Sequence, residues 1–154
     1  VADFVFNISK GRVGAYVQNV KDGSPANSRL KVIPLEATGL EADAALKDHN
    51  ELAALLAGSS NEQATMGRKT IVAGDITLTV DDSGEKLDID LTDIVWAAAA
   101  GNALGSLVLV YCPDGVTPGA DNTFIPLTNH VFAVTPDGSD ITAVINAAGF
   151  YRAS

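Results

Sequence analysis

Two runs in the middle of the chain limit the choice of fold more than any other feature. Ile76, Leu78 and Val80 alternate with Thr77 and Thr79, and Leu87, Ile89 and Leu91 alternate with Asp88 and Asp90. In an extended chain, an apolar residue at every second position puts all the apolar side chains on one face. Asp82-Ser83-Gly84-Glu85, between the runs, has the composition of a turn. The pair therefore predicts an antiparallel hairpin with one buried face and one wet face.

The rest of the second half extends this β character. Residues 94–98 and 107–111 are expected to form a second strand pair around Gly101-Asn102. Residues 124–127, 131–134, 141–145 and 150–152 read as further strands. Pro113-Asp114-Gly115 and Pro118-Gly119 predict a surface loop, and Thr135-Pro136-Asp137-Gly138 a turn.

The first half mixes strand and helix. Residues 3–6 read as a short strand. Residues 12–21 fit a helix, because Val13, Tyr16, Val17 and Val20 fall at i, i+3, i+4 and i+7. Gly23 stands where a left-handed residue ends such a helix. Gly14 costs this helix about 1 kcal/mol relative to Ala, which close packing against a neighbour would offset. Ser24-Pro25-Ala26-Asn27 is a turn, and residues 29–35 follow as a strand. Pro34 cannot donate to a ladder, which puts that strand near an edge or ends it. A second helix is marked by Asp48 as N-cap and Glu51 three residues later, an acidic variant of the capping box. Leu52, Leu55 and Leu56 form its buried stripe, Gly58 ends it, and residues 59–65 are a loop. The fold class predicted is α+β in a single domain spanning residues 1–154. It has two short helices in the N-terminal half and mainly antiparallel sheet, or a distorted β-barrel, in the C-terminal half.

Composition bounds the function classes. The 154 residues carry a formal net charge of −9, with only ten Lys and Arg, and these are scattered. Phosphate binding needs clustered cations, and an acidic surface is repelled by packaged DNA and by anionic membranes. Solubility explains the same charge. One cysteine, Cys112, excludes an intramolecular disulfide and a Cys-based zinc site. The longest apolar stretch, residues 94–100, falls far short of the roughly 20 residues of a membrane span. Val1-Ala2-Asp3-Phe4 has no basic segment leading into an apolar one, so a signal peptide is not expected, and loss of an initiator Met would account for Val1. Asn7-Ile8-Ser9 matches a glycosylation acceptor by chance.

The chemistry-bearing residues do not add up to a reactive site. Asp81, Asp82, Glu85, Asp88, Asp90 and Asp93 cluster, and Asp88 and Asp90 share a strand face that could offer oxygens to calcium. The EF-hand spacing is absent, and the wet face of a hairpin accounts for the acids. Any acidic strand also offers the carboxylate pairs of a glycosidase. His49 is expected to be exposed in the first turn of the second helix and His130 to lie between two strands, neither at metal-ligand spacing. Ser59-Ser60 follows Gly58 without a nucleophile elbow. Cys112 reads as a small buried residue. Gly101-Asn102-Ala103-Leu104-Gly105 lacks the Lys-Ser/Thr of a phosphate loop, and Arg68-Lys69 with Arg29 and Lys31 are too few for a nucleic-acid patch. Trp96 and Tyr111 are expected to pack in the core, or to anchor an interface if exposed. The expectation is no catalytic residue, no cofactor and no metal.

Several strings carry a likeness to known proteins. They begin with Asp3-Phe4-Val5-Phe6-Asn7-Ile8-Ser9-Lys10-Gly11-Arg12-Val13 and Pro25-Ala26-Asn27-Ser28. They continue through Leu35-Glu36-Ala37-Thr38-Gly39-Leu40-Glu41-Ala42-Asp43, Met66-Gly67-Arg68-Lys69-Thr70, Val95-Trp96 and Ala98-Ala99-Ala100-Gly101-Asn102. The last are Ile125-Pro126-Leu127-Thr128, Val134-Thr135-Pro136-Asp137-Gly138-Ser139-Asp140 and Gly149-Phe150-Tyr151-Arg152-Ala153-Ser154. Over nearly its whole length the chain resembles a family of small virion structural proteins of tailed bacteriophages, departing at Gly14, where a larger residue is usual.

The resemblance implies a capsid decoration (cement) protein. Such a protein binds the outer surface of the major capsid protein lattice and stabilises the head. It is expected on the capsid exterior of the virion and in the host cytoplasm during assembly. It would act as a homo-oligomer (a trimer by analogy), without nucleic acid, membrane or enzymatic activity. The alternative is a tail or head–tail connector component, and a third class is a phage-encoded hydrolase. The terminal strands, residues 3–6 and 150–152, are candidates for pairing with a neighbouring sheet edge.

Overall fold

The computed structural model describes residues 1–117, 120–146 and 148–153, so the expected loop at Pro118-Gly119 lies outside the described residues. In chain order the elements are β1 (Phe4–Val5), α1 (Val13–Asp22), β2 (Arg29–Glu36), α2 (Asp43–Leu46), α3 (Leu52–Ala57) and β3 (Lys69–Ile71). There follow β4 (Ile76–Asp81), β5 (Lys86–Leu91), β6 (Ile94–Trp96), β7 (Leu104–Cys112), β8 (Ile125–Val131), β9 (Ile141–Ala143) and β10 (Tyr151–Ala153). Short 3-10 turns stand at Asn7–Ser9, Ala73–Asp75 and Asp121–Thr123. The strands form three antiparallel sheets, ordered β1-β8-β7-β2-β3, β10-β5-β4 and β6-β9. The fold is α+β with sheet dominant. The sheets are open, so the distorted barrel is not found: closure needs the end strands to pair, and β1 and β3 stand at opposite ends of their sheet.

β2 and β7 are the centre of the molecule. Every residue of β7 except Gly105 is buried. Leu107, Leu109 and Tyr111 of β7 join Leu30 and Val32 of β2 on one face, with Ile71 and Leu127. Val108, Val110 and Cys112 join Ile33 and Leu35 on the other, with Phe6 and Phe124. α1, through Val13, Val17 and Val20, and the β4–β5 hairpin, through Ile76, Ile89 and Leu91, cover the first face. Leu46 of α2 and Leu52 and Leu55 of α3 cover the second. A sheet covered on both sides needs apolar side chains at consecutive positions, as β7 has.

The hairpin and α1 follow their sequence pattern. β4 and β5 pair in unbroken register from Ile76↔Leu91 to Asp81↔Lys86. On α1, Val13, Val17 and Val20 are buried, and Tyr16 stacks on Tyr111 with ring centroids 4.8 Å apart. Gly23 has φ +64° and donates its N–H to the Val20 carbonyl. A Cβ on Gly14 would sit 3.0 Å from Leu87 Cδ2, so the glycine lets α1 lie close against β5.

Elsewhere the structure departs from the pattern, each time through a contact distant in sequence. β6 pairs with β9, Ile94↔Ala143 through Trp96↔Ile141, and not with β7, whose two edges are taken by β2 and β8. Residues 125–131 form one strand, not the ends of two. In its polar middle Asn129 Nδ2 donates to the Ala2 carbonyl and Thr128 Oγ1 lies 2.9 Å from His130 Nε2, while the buried Asn129 Oδ1 has no protein partner among the described residues. β2 lies near an edge, next to the end strand β3, and Pro34 does not end it. Pro34 sits beyond the end of β3, where its carbonyl accepts the Gln63 N–H and its missing donor leaves no gap in the β3 ladder.

The expected capping box is absent. Asp48 accepts from Asn7 Nδ2 instead, and α3 begins at Leu52, whose N–H is taken by the Phe124 carbonyl at 2.9 Å. The four-residue α2 was not anticipated. The terminal strands expected to seek an outside partner have partners within the chain, β1 with β8 and β10 with β5.

The contact at Gly14 can be tested. Gly14→Leu pushes extra methylenes against Leu87 and is expected to lower the unfolding free energy by about 1–3 kcal/mol. Ala15→Leu, on the exposed side of the same helix, should change it by less than about 0.5 kcal/mol. Urea denaturation of both variants checks the contrast.

Candidate functional site

A cavity of about 300 Å³ opens where the three sheets meet. Its floor is Val32, Leu107 and Leu109 of the central sheet, and its walls include Leu91, Ile94, Phe132, Val144, Ile145 and Phe150. Its polar residues are Asp3, His130 and Asn146. His130 Nδ1 lies 3.9 Å from Asp3 Oδ2, and Asp3 Oδ1 accepts the Val131 N–H at 2.7 Å. Burial holds the imidazole below its usual pKa and outweighs the opposing pull of Asp3. His130 is thus neutral near pH 7 and Asp3 is tied to backbone. The described lining brings no Ser, Cys, Lys or Tyr beside them to act as nucleophile. The cavity is an apolar socket with a His–Asp pair among its lining residues. It volume is at the low end for small-molecule pockets.

Acidic residues of the hairpin are engaged by cations and by backbone N–H groups. Asp88 is held by the Arg152 guanidinium and by Lys86 Nζ at 3.6 Å. Asp81 accepts from the Ser83 and Gly84 N–H groups and the Ser83 hydroxyl. Asp90 Oδ1 accepts the Leu91 N–H. Asp88 and Asp90 share a face as expected, but the Asp88 carboxylate faces cations. Among the described residues no three His, Cys, Asp or Glu side chains converge as metal ligands. Hydrogen bonding holds the Asp81 and Asp88 carboxyls below the usual carboxylate range.

The same use of aspartate recurs over the surface. Asp3, Asp43, Asp75, Asp81, Asp90, Asp93, Asp114, Asp137 and Asp140 each accept a backbone N–H from a loop, turn or strand end. Much of the chain's negative charge therefore fastens backbone. The signal was present in Asp81-Asp82-Ser83, Asp114-Gly115-Val116 and Asp137-Gly138-Ser139, where the side chain caps the N–H two residues on.

The other singled-out residues are also tied down. His49 is half-buried, not exposed. It precedes α3, and its Nε2 meets Glu41 Oε2 at 2.6 Å across α2. Ser60 is buried and its hydroxyl accepts the Glu41 N–H. Cys112 is fully buried, which pushes its thiol pKa up to about 12. Trp96 and Tyr111 are core residues, and Trp96 Nε1 donates to the Gly67 carbonyl at 3.0 Å. At Ala100-Gly101-Asn102 the carbonyls of Ala100 and Asn102 accept from Gln63 Nε2. Carbonyls have the wrong polarity to cradle a phosphate. Gln63 was not anticipated, and no local pattern marks it. Arg68 makes paired bonds to Glu62 and Asp121, joining the loop before β3 to the turn before β8. Lys31 and Lys69 lie over Phe124 and Trp96.

No protein-family model, curated protein or solved structure matches the chain. No helix among the described residues is long and apolar enough to cross a membrane.

Two outcomes follow. Arg68→Ala is expected to cost about 1–3 kcal/mol at pH 7 by stripping two carboxylates of charged donors. Arg68 depresses the Asp121 pKa. That contribution is therefore present above the unfolded value of about 3.9 and lost as pH falls through the folded one. The gap between wild type and variant in urea melts should narrow from pH 5 towards pH 2. Cys112 should resist a thiol-specific disulfide reagent at pH 8 in the folded protein and react stoichiometrically in 8 M urea.

Proposed function

We propose that this chain is a non-enzymatic structural component of a tailed-phage virion, a decoration protein that binds the outer face of the capsid and stabilises the head. The observation that carries the reading is the aspartate fastening of the surface, added to the resemblance in sequence. Loops held by side-chain acceptors lose little conformational freedom on docking, which lowers the cost of association. A net charge of −9 keeps such a surface away from packaged DNA. The partner in this reading is the major capsid protein, with the chain acting as a homo-oligomer, a trimer at a threefold position. Neither nucleic acid nor membrane takes part. A protein that binds the assembled lattice and not the free subunit stabilises the shell by linkage, and repeated contacts on one lattice add avidity.

Expanded heads lacking this chain, mixed with the purified protein and sedimented, are expected to retain it at a copy number comparable to that of the major capsid protein and to melt at a higher temperature. Retention of only about six or twelve copies per particle, the number of a ring, would instead indicate a tail or head–tail connector position. No retention overturns the reading.

A further inference from the structure

We propose that the outer edge of β4 is a docking edge for an extended polypeptide segment in which apolar and basic residues alternate, added as a further strand to the β10-β5-β4 sheet. The inference deepens the structural reading above and rests on it, the segment being an arm of the lattice protein.

β4 differs from the other strands that end a sheet. β1 has two residues and β3, β6, β9 and β10 three each, whereas β4 has six. The usual protections of a long edge are a bulge, a Pro or a Lys. Ile76-Thr77-Leu78-Thr79-Val80-Asp81 has neither Pro nor Lys, and its register with β5 is unbroken.

Antiparallel pairs alternate between exchanging two hydrogen bonds and none. The Thr92 N–H donates to the Asp75 carbonyl. With the register Ile76↔Leu91, this puts Thr77, Thr79 and Asp81 in the bonded positions and turns the N–H and C=O of Leu78 and Val80 outward. The Phe150 N–H donates to the Ile89 carbonyl, so Ile89 faces β10 and not its partner Leu78, as the alternation requires. At Ile76 the outward carbonyl is taken by Lys21 Nζ at 2.7 Å. Leu78 and Val80 have no such cap among the described residues.

The face beside the edge selects the same partner. Ile76, Leu78 and Val80 point to the inner side of the hairpin, but exposure rises from 1% at Ile76 to 71% at Val80 as the strands run past the core. Val80, Leu87 and Ala153 line an open depression that also includes Asp81, Asp82 and Glu85. Lys86 lies there too, paired with Asp81 and Asp88. Asp82 and Glu85 are exposed. An incoming apolar residue covers Val80, and a basic one meets Asp82 and Glu85. Backbone bonds give affinity and alternate side chains give selectivity.

The test uses the full chain and an acetylated hexapeptide of alternating valine and lysine, read by amide hydrogen exchange in NMR. Exchange at Leu78 and Val80 is expected to slow by about tenfold or more, with no change at Thr77 and Thr79. A valine–glutamate peptide should give no protection. Val80→Pro removes an outward N–H and no bond to β5. It should keep the thermal midpoint and lose about tenfold in peptide affinity. Val80→Lys, which sets a like charge against the peptide without constraining the backbone, reads the same effect if the proline variant fails to fold. Absence of protection at Leu78 and Val80, or unchanged affinity in the folded variant, overturns the proposal. Loss of the peptide effect with head binding intact sinks the edge alone. Protection without head binding upholds the edge and sinks the capsid reading.

Discussion

The pairing of β2 with β7 is the constraint on which the rest of the molecule depends. Their shared register runs from Arg29↔Cys112 to Glu36↔Leu104, with one irregularity at its end. Because both strands carry apolar side chains on both faces, neither can lie at the surface. Each face has to be covered, and the two covers are built differently. One is α1 with the β4–β5 hairpin, and the other is α2 and α3 with Phe6 and Phe124. The second cluster is closed, with every member but Phe124 fully buried. The first is looser: Val32, Leu91, Ile94, Leu107 and Leu109 keep a few per cent exposure, and all five line the cavity.

What was legible in the sequence was local. The β4–β5 hairpin and α1 declare themselves through periods of two and of 3.6, and each period is read within a dozen residues. Gly14 was legible as a break in a helix pattern, and its reason, Leu87, lies on another element. What was not legible was long-range. Nothing in Ile94-Val95-Trp96 says that its partner is Ile141-Thr142-Ala143 and not the nearer β7. β8 was hidden because Thr128-Asn129-His130 interrupts the apolar pattern. Thr128 and His130 meet each other, and the Asn129 amide N–H reaches Ala2, at the far end of the chain. The start of α3 was misplaced for the same kind of reason, its first N–H being satisfied by Phe124. Among candidate site residues, the Asp–x–Ser turns were readable, but the Glu41–His49 contact, formed across α2, was not.

Several of the chemistry-bearing groups serve the architecture. Cys112 is sealed in the second cluster, Arg68 joins two loops, and the aspartates hold turns and strand ends. A surface fastened in this way, on a sheet buried from both sides, presents the same shape at every copy. The proposed docking on a repeating lattice requires that constancy. Among the described residues, β4 is the longest strand at the end of a sheet, with six residues against two or three in the others.

The most direct measurement is an electron cryomicroscopy map of expanded heads of the tailed phage proposed to encode this chain, compared with heads from which the gene has been deleted. The account predicts difference density on the outer surface, repeating with the lattice and large enough for the central five-stranded sheet with both its covers. Difference density confined to the tail, or identical maps with and without the gene, would contradict it.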